Sequence, residues 1–339
     1  MKYYIFTLKF LTPVHFGDTS NGGNLEKVTM NCPADTFFSA LCNEAASKSQ
    51  NLVENMIDKF TKGDICISSL MPYYIADKGE LELYLPKPFY LGNGKEQEQS
   101  IKNFKEMKND ATKLKKNKKL SWVRASEIGK FLRQSSENTV YEFQNPVFAV
   151  KLTSAKVNCR MAEPLPYFVG SYIFSENSGL YFILGLKHED DIECMSELVA
   201  SLGYAGIGGK RSSGYGKYEL ADDYFEIMPE DGVYLDGEII ARMLADDKSS
   251  VQMCVAPLHP RADEITKIKQ GQYKLINRGG FIGDNTLVQN VKRSNVYMIT
   301  EGSCFPERVN GNVVAQTIEG VPHRVYRNGK GMFMGLNYD

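Results

Sequence analysis

The glycine-rich segment at residues 206–216, Gly-Ile-Gly-Gly-Lys-Arg-Ser-Ser-Gly-Tyr-Gly, most constrains what this chain can fold into. Its glycines allow positive φ and let successive N–H groups face one ligand. Apolar residues before it follow a helical period, namely Ile192, Met195, Leu198, Val199 and Leu202, and residues 215–220 after it alternate as in a strand. The segment therefore connects a helix to a strand, and its lysine, arginine and serines suit a polyanion held close to the main chain.

Two familiar phosphate-binding loops do not fit this segment. Aligning Gly209-Lys210 with a Walker A loop puts Tyr204 at the first glycine and Arg211 at the metal-binding hydroxyl. A dinucleotide-binding loop should follow a strand and open a helix, which is the reverse of the order here. A nucleotide-binding enzyme is therefore a weak hypothesis, and a glycine turn with incidental surface charge is the simplest alternative.

Composition predicts a globular chain without a membrane segment, a metal or a cofactor. The 339 residues are 42% hydrophobic and 24% charged, enough for two domains, and the net charge of −1 does not by itself favour nucleic acid. No run of 18 apolar residues occurs, and residues 2–10 predict a strand, not a signal peptide. The seven cysteines contain no C-x₂-C pair, which favours reduced thiols in the cytoplasm over a zinc site.

The order of elements predicts an α+β fold with two ferredoxin-like (RRM-like) domains, at residues 1–222 and 223–339. In the first domain Asp35 is the expected N-cap of the first helix. The predicted strands there are 2–10, 65–75, 81–85, 179–186 and 215–220, with a second helix at 190–202. The second domain is predicted to hold a helix at 238–244 and strands at 251–257, 273–277, 295–300 and 311–317.

A long basic insertion, at about residues 88–165, interrupts the first domain. Residues 95–133 contain twelve Lys or Arg and five Asp or Glu, with Lys115 and Lys116 in the middle of the densest run. In a chain of near-zero net charge this segment is the obvious contact for a phosphate backbone. A solvated, partly disordered loop tip is the alternative. Trp122 is expected to anchor the insertion to the body of the protein.

These residues together resemble the RAMP superfamily of CRISPR proteins. The resemblance rests on the glycine loop, on the first strand ending in Thr12-Pro-Val-His-Phe-Gly17, and on Ala34-Asp-Thr-Phe-Phe-Ser-Ala-Leu41, which is similar to the family's first helix. Arg278-Gly-Gly-Phe281 narrows it to the fourth subunit of the type III-A Csm effector complex. It covers about residues 1–85 and 175–335. Phe281 stands where the family often has tryptophan, and Cys32-Pro33 before the helix is a further minor departure.

The resemblance implies a non-catalytic RNA-binding subunit of an RNA-guided antiviral complex. Such a subunit grips the 5′ repeat-derived handle of the CRISPR RNA (crRNA) and docks the large polymerase-like subunit. It also adjoins a RAMP backbone subunit and meets target RNA only indirectly. The residues expected to contact RNA are His15, Phe16, Gly17, Gly206, Gly208, Gly209, Lys210, Arg211, Ser212, Ser213, Gly214, Gly216, Arg278, Gly279 and Gly280, with Lys115 and Lys116 of the insertion.

His15 is the candidate catalytic residue if the chain is an enzyme. Processing endoribonucleases of the same superfamily use a histidine for metal-free cleavage, and a general base must reach the ribose 2′-OH. The sequence shows no acid or base partner for His15, so a loop-shaping or RNA-contacting role is the leading interpretation. Metal-dependent chemistry is not expected, because the adjacent acidic pairs at 190–191, 222–223 and 246–247 lie at element ends.

Overall fold

The computed structural model describes residues 1–18, 24–90, 103–134, 140–158, 163–230, 234–283 and 291–336. Its helices are α1 (Ala34–Lys48), α2 (Gln50–Lys62), α3 (Phe104–Lys119), α4 (Ile128–Arg133), α5 (Asp191–Ala205), α6 (Leu235–Ala245) and α7 (Ile265–Ile268).

The strands of the first two-thirds of the chain are β1 (Lys2–Phe10), β2 (Phe16–Gly17), β3 (Val28–Thr29), β4 (Ile65–Ile67), β5 (Met71–Ile75), β6 (Leu81–Pro86), β7 (Trp122–Arg124), β8 (Ala149–Asn158), β9 (Leu165–Phe174), β10 (Ser178–Leu186), β11 (Tyr218–Leu220) and β12 (Phe225–Ile227). The later strands are β13 (Gln252–Cys254), β14 (Leu275–Arg278), β15 (Val296–Ile299), β16 (Cys304–Phe305), β17 (Gly311–Gln316), β18 (Val325–Lys330) and β19 (Phe333–Gly335).

One antiparallel sheet organises the first part of the molecule. Its strand order is β11-β1-β10-β5-β6-β7, with β12 also beside β1 and β4 also beside β10. The register of its two central strands places Phe6 opposite Phe182, and these buried rings stack at 5.0 Å between centroids. Phe37 of α1 packs on Phe182 at 4.7 Å, so this helix covers one face of the sheet. The architecture is mixed α/β.

The first helix begins differently from the sequence-based prediction. Pro33, not Asp35, is the N-cap of α1, and the Ala34 N–H donates to the Ser69 hydroxyl at 2.9 Å. Asp35 lies in the first turn, fully buried, and its carboxylate faces the C-terminal part of the chain. The predicted cap is therefore wrong: the aspartate is used for a long-range contact.

The basic insertion contributes ordered elements. β7 extends the main sheet through pairing with β6, which holds Trp122 opposite Pro86, and Trp122 packs partly buried against the core as expected. The lysine run lies on α3, whose start has a capping box between Asn103 and Glu106. The alternative of a structureless loop tip is wrong for residues 104–119. β8 and β9, of ten residues each, form a hairpin that continues past the predicted end of the insertion at 165.

The C-terminal part of the chain is built around β13. β16 and β19 flank it, β14 pairs with β15, and β17 pairs with β18. Within the described residues these strands do not join into one four-stranded sheet, so a second ferredoxin-like domain stays a prediction. A small separate core of Cys254, Leu258, Ile268, Ile299, Phe305, Val309 and Phe333 lies here.

The two parts of the chain share extensive contacts. β12 pairs with β1, so residues beyond the expected boundary at 222 add a strand to the first sheet. Asp236 of α6 accepts hydrogen bonds from the Leu83 and Ser126 N–H groups, each at 3.0 Å. No helix of the described ranges combines the length and the apolar character needed to span a membrane.

Candidate nucleic-acid interface

The glycine loop at residues 206–216 is closed by its own backbone. It starts where Gly206, with φ +78°, ends α5, and the Ile207 N–H donates to the Gly216 carbonyl at 2.9 Å. A short 3₁₀ turn at Arg211–Ser213 forms its tip. Lys210, with φ 62°, is the one non-glycine residue of positive φ among the described residues. At this ordered tip the two serines are exposed and the two basic residues are partly exposed.

The glycine loop lies directly on the segment that follows β1. The Gly209 N–H donates to the His15 carbonyl and the Gly216 N–H to the Pro13 carbonyl, both at 2.8 Å. A Cβ at Gly208 would stand 2.7 Å from the His15 carbonyl oxygen and 2.9 Å from the Phe16 ring. Only glycine allows this approach together with the φ of +88°. Two segments separated by some 190 residues in the sequence thus form one surface.

Several loop amides are used inside the protein. Besides Gly209 and Gly216, the Ser213 and Gly214 N–H groups donate to the Lys210 and Arg211 carbonyls at 2.9 and 2.8 Å. The glycine-rich sequence predicts that such amides hold phosphate. These amides are already engaged within the protein. An anion bound at this loop would therefore be contacted mainly by the side chains at the tip.

His15 is buried below the loop, with 5% of its surface exposed. Its Nδ1 lies 2.7 Å from the Gly170 carbonyl of β9, a contact in which Nδ1–H donates. Burial lowers the pKa of His15, the Gly170 hydrogen bond opposes this, and Lys210 lowers the pKa further. A neutral, hydrogen-bonded imidazole joining three segments fits the loop-shaping interpretation.

The β8–β9 hairpin completes the surface. Val14 and Tyr172 exchange backbone hydrogen bonds of 2.8 and 2.9 Å, which tie the base of the hairpin to the post-β1 segment. Lys210 Nζ lies 5.1 Å from the centre of the Tyr167 ring, and Lys156 Nζ lies 4.8 Å from that of Tyr215. Ammonium groups and aromatic rings alternate across the hairpin and the loop, an arrangement suited to single-stranded nucleic acid. Lys156 and Tyr167 are not among the predicted contacts, because no local sequence motif marks them.

Arg278 has a different environment from the one expected of an RNA contact. Only 7% of its surface is exposed, and Nη2 and Nε donate to the two oxygens of Asp35 at 2.9 and 3.1 Å. Arg327 donates to the same carboxylate at 2.5 Å. Arg278 therefore joins the C-terminal part of the chain to α1, and its neighbours Gly279 and Gly280 lie beside this ion pair.

Lys115 and Lys116 lie on α3, apart from the glycine loop. Lys116 Nζ contacts Glu142 at 2.5 Å. The amide of Asn117, which is buried, donates to the side chain of Gln134 and to the Tyr141 carbonyl, both at 2.8 Å. The helix is thus held by residues 134–142, and the structure does not bring its lysines together with the other predicted site residues.

The described residues hold no group of three His, Cys, Asp or Glu side chains arranged to bind a metal ion. Of the acidic pairs, Asp191 is paired with Lys59, and Asp246 accepts hydrogen bonds from the Lys248 and Ser249 N–H groups. These two carboxylates thus have contacts within the fold, although Oδ2 of Asp191 has no partner among the described residues.

Comparison with known proteins gives a consistent result over the whole chain. Residues 247–336 match the model of the CRISPR Csm4 C-terminal domain. The chain is 27% identical to the "CRISPR system Cms protein Csm4" of Streptococcus thermophilus over 339 residues, covering 99% of each chain. It is 25% identical to the protein of the same name from Mycobacterium tuberculosis over 329 residues, or 95% of this chain and 94% of that one. The chain is therefore similar to Csm4 proteins along its whole length, and the resemblance predicted from the sequence is confirmed.

Solved Csm4 structures share its fold. The Csm3-Csm4 subcomplex of the type III-A CRISPR-Cas interference complex matches with a TM-score of 0.61 and 19% identity over 99% of this chain and 100% of that one. A Csm1-Csm4 cassette in complex with pppApA matches with a TM-score of 0.59 and 18% identity, covering 100% and 99%. These likenesses confirm the mixed α/β architecture of the fold.

Proposed function

We propose that this chain is the RNA-binding Csm4 subunit of a type III-A CRISPR interference complex, and that it grips the 5′ handle of the crRNA. The observation that carries the proposal is the surface formed by the glycine loop, the post-β1 segment and the β8–β9 hairpin. There the tip residues Lys210 to Ser213 are ordered by backbone hydrogen bonds, with the two serines exposed and the two cations partly exposed. Serine hydroxyls beside the cations offer partners for a ribose 2′-OH.

The sheet topology supports the ferredoxin-like interpretation of the first domain. The order β11-β1-β10-β5, with α1 and α5 in the connections, is the order 4-1-3-2 of a βαββαβ sheet. In this arrangement the glycine loop lies between the second helix and the last strand. The basic insertion is the thumb-like part of the domain, and Lys115 and Lys116 on α3 stay proposed contacts for the guide.

The proposed partners follow the complexes of the relatives. Solved Csm4 proteins are paired with Csm3 in one structure and with Csm1 in others. We propose that this chain likewise lies between a RAMP backbone subunit and the large polymerase-like subunit, in the cytoplasm. It would then meet target RNA only through the assembled complex.

The role is proposed to be non-catalytic. The imidazole of His15 points to a backbone carbonyl and is buried, whereas a general base must reach the reacting hydroxyl. A metal-independent endoribonuclease using His15 is the rival function, and a purified protein that cuts repeat RNA at one position would support it.

The test is a binding titration of handle RNA with Lys210→Ala plus Arg211→Ala, measured at several salt concentrations. If both side chains contact phosphate, binding weakens and the slope of log K against log salt falls by about 1.4, since each single-strand contact contributes roughly 0.7. An unchanged slope in a folded double variant would remove the glycine loop from the interface.

A matched control is Lys62→Ala plus Lys267→Ala. Both lysines are surface residues already paired within the protein, with Asp58 and Glu307. The control removes the same formal charge, and we expect its affinity and salt slope to match the wild-type protein. A fall equal to that of the loop variant would mean that net charge alone was measured.

A further inference from the structure

Next to the glycine loop, three arginines surround one carboxylate. Arg278, Arg293 and Arg327 come from the C-terminal part of the chain, and Asp35 comes from the first turn of α1. Asp35 is fully buried, and Arg327 is 2% exposed. Asp35 pairs with Arg278 and Arg327, whereas Arg293 has no ion pair among the described residues. A guanidinium left in this way in a largely buried cluster is costly unless an anion joins it.

The carboxylate of Asp35 is engaged by the other two arginines and makes no hydrogen bond with Arg293 in the described part of the chain. Its Oδ1 accepts from Arg278 Nη2 at 2.9 Å, and its Oδ2 accepts from Arg278 Nε at 3.1 Å and from Arg327 Nη1 at 2.5 Å. Arg278 and Arg327 thus occupy both oxygens. The third arginine depends on other partners.

Arg293 makes one hydrogen bond, from Nη1 to the Ser39 hydroxyl at 3.2 Å. Its buried Nε has no partner among the described residues, and neither does the Nε of Arg327. Burial first, and then repulsion by Arg327, lower the pKa of Arg293 to about 10. A guanidinium at this depth normally has a carboxylate or phosphate against its fork.

Arg211 of the glycine loop reaches the same side of α1. A Cβ built at Gly283 would lie 3.0 Å from Asn43 Nδ2 and 3.8 Å from Arg211 Nη2, so the two side chains meet beside this glycine. Ser39 and Asn43 are four residues apart on α1 and therefore share one helix face. No ion pair of Arg211 or Arg293 with a carboxylate occurs in the described part of the chain.

We propose that Arg211 and Arg293, with the side chains of Ser39 and Asn43, form an anion site that takes one phosphodiester group of the bound RNA. The inference rests on the proposed function and adds a contact from the C-terminal part of the chain. The site adjoins the glycine loop through Arg211, whose guanidinium lies near Asn43 beside Gly283. The phosphate supplies the charge that Asp35 does not, and it links RNA to both parts of the chain.

The test compares Arg293→Gln and Arg293→Lys with the wild-type protein in handle-RNA titrations over a range of salt. Arg293→Gln loses one charge-assisted contact, so we expect about tenfold weaker binding and a salt slope lower by about 0.7. Arg293→Lys keeps the charge without the fork, so the slope is retained while the affinity falls. Arg242→Gln is the control, because Arg242 is exposed and paired with Glu238 on α6.

Thermal melting in the presence of handle RNA, ATP or inorganic phosphate separates the sources of phosphate. RNA is expected to stabilise the wild-type protein more than Arg293→Gln, with little effect of the small anions on either. If ATP or phosphate stabilises the wild type alone while RNA affinity is unchanged by the substitution, the site takes a small anion and the RNA assignment is overturned.

The two sets of variants distinguish a failure of the anion site from a failure of the proposed function. If Lys210→Ala plus Arg211→Ala weakens RNA binding and Arg293→Gln does not, the loop binds RNA and the Arg293 site does not. If neither variant changes binding, the proposed function itself fails. If both Arg293 variants fail to fold, Arg293 is a structural residue and the anion site is rejected.

Discussion

Two segments of this protein look alike in sequence and have opposite environments. The segment at 206–216 and the segment at 278–280 both combine glycines with an arginine, and both were expected to contact RNA. In the first, Arg211 lies partly exposed at the tip of an ordered loop. In the second, Arg278 is buried against Asp35. The position of one carboxylate decides which arginine is left for an external anion.

A basic motif can bind an anion, and the fold determines whether that anion is a carboxylate of the protein or an external group. Asp35 lies 243 residues before Arg278 and 292 before Arg327, yet it engages both. The ion pairs hold the C-terminal part of the chain on α1, where Arg293 donates to Ser39. The position of Arg293 in the proposed anion site therefore depends on the buried pairs.

The largest expected effect is that of Asp35→Asn, which removes the carboxylate and leaves the arginines facing one another. Breaking a buried ion pair by removing one partner costs roughly 3–5 kcal/mol. We expect a loss of that order in the free energy of unfolding, measured by urea titration. Burial raises the pKa of Asp35, but Arg278 and Arg327 outweigh it and hold the pKa below 3.8. The stabilisation is therefore complete above pH 3.8 and is lost at lower pH.

Asp58→Asn is the matched control, since Asp58 forms an exposed pair with Lys62 one helical turn away. Its stability should stay close to that of the wild-type protein. If Asp35→Asn were as stable as this control, the buried cluster would not hold the two parts of the chain together.

Sequence periodicity predicted the elements of the main sheet well. The strands expected at 2–10 and 179–186 are Lys2–Phe10 and Ser178–Leu186, and the helix expected at 190–202 is Asp191–Ala205. Each of these segments has a core-facing apolar pattern that is local in sequence. The Asp35 cluster could not be predicted in this way, because it joins residues hundreds of positions apart and no local pattern records the pairing.

The lysine-rich helix was within reach of the sequence analysis. Asn103 followed by Glu106 is a capping-box pattern, and it does begin α3. The segment could still be interpreted as a solvated loop, because it is rich in lysine. Asn117 is the residue of α3 that is buried. Lys156 and Tyr167, in contrast, contact the glycine loop because the β8–β9 hairpin folds over it. No sequence motif predicts that contact.

The next effect in size concerns the backbone of the glycine loop. Gly208→Val places a branched side chain against the His15 carbonyl and the Phe16 ring, at a φ of +88°. Gly214→Val meets nothing within 4 Å and is strained only by its φ of +82°. We expect Gly208→Val to abolish handle-RNA binding with circular dichroism largely kept, and Gly214→Val to weaken it less. Equal affinities for the two variants would contradict the packing of the loop on the post-β1 segment.

The smallest expected effect is that of His15→Ala, which leaves the Gly170 carbonyl without its partner. Losing such a buried hydrogen bond costs about 1–3 kcal/mol of stability, and RNA affinity should fall modestly as the loop loosens. Because burial lowers the pKa of His15, the unfolded chain binds the proton more readily, and the histidine's stabilising effect decreases as pH falls below 6.5. The stability difference between wild type and variant should therefore shrink from pH 7.5 to pH 5.5.

The same variant decides between the structural role and the rival enzymatic one. We expect neither protein to cut repeat RNA, with or without divalent metal, when the products are separated on a sequencing gel. His15→Gln is the informative companion, since an amide can restore the hydrogen bond to Gly170 without acting as a base. If the wild type cut one phosphodiester and both variants bound RNA normally without cutting it, His15 would be a catalytic residue and the endoribonuclease function would replace the one proposed here.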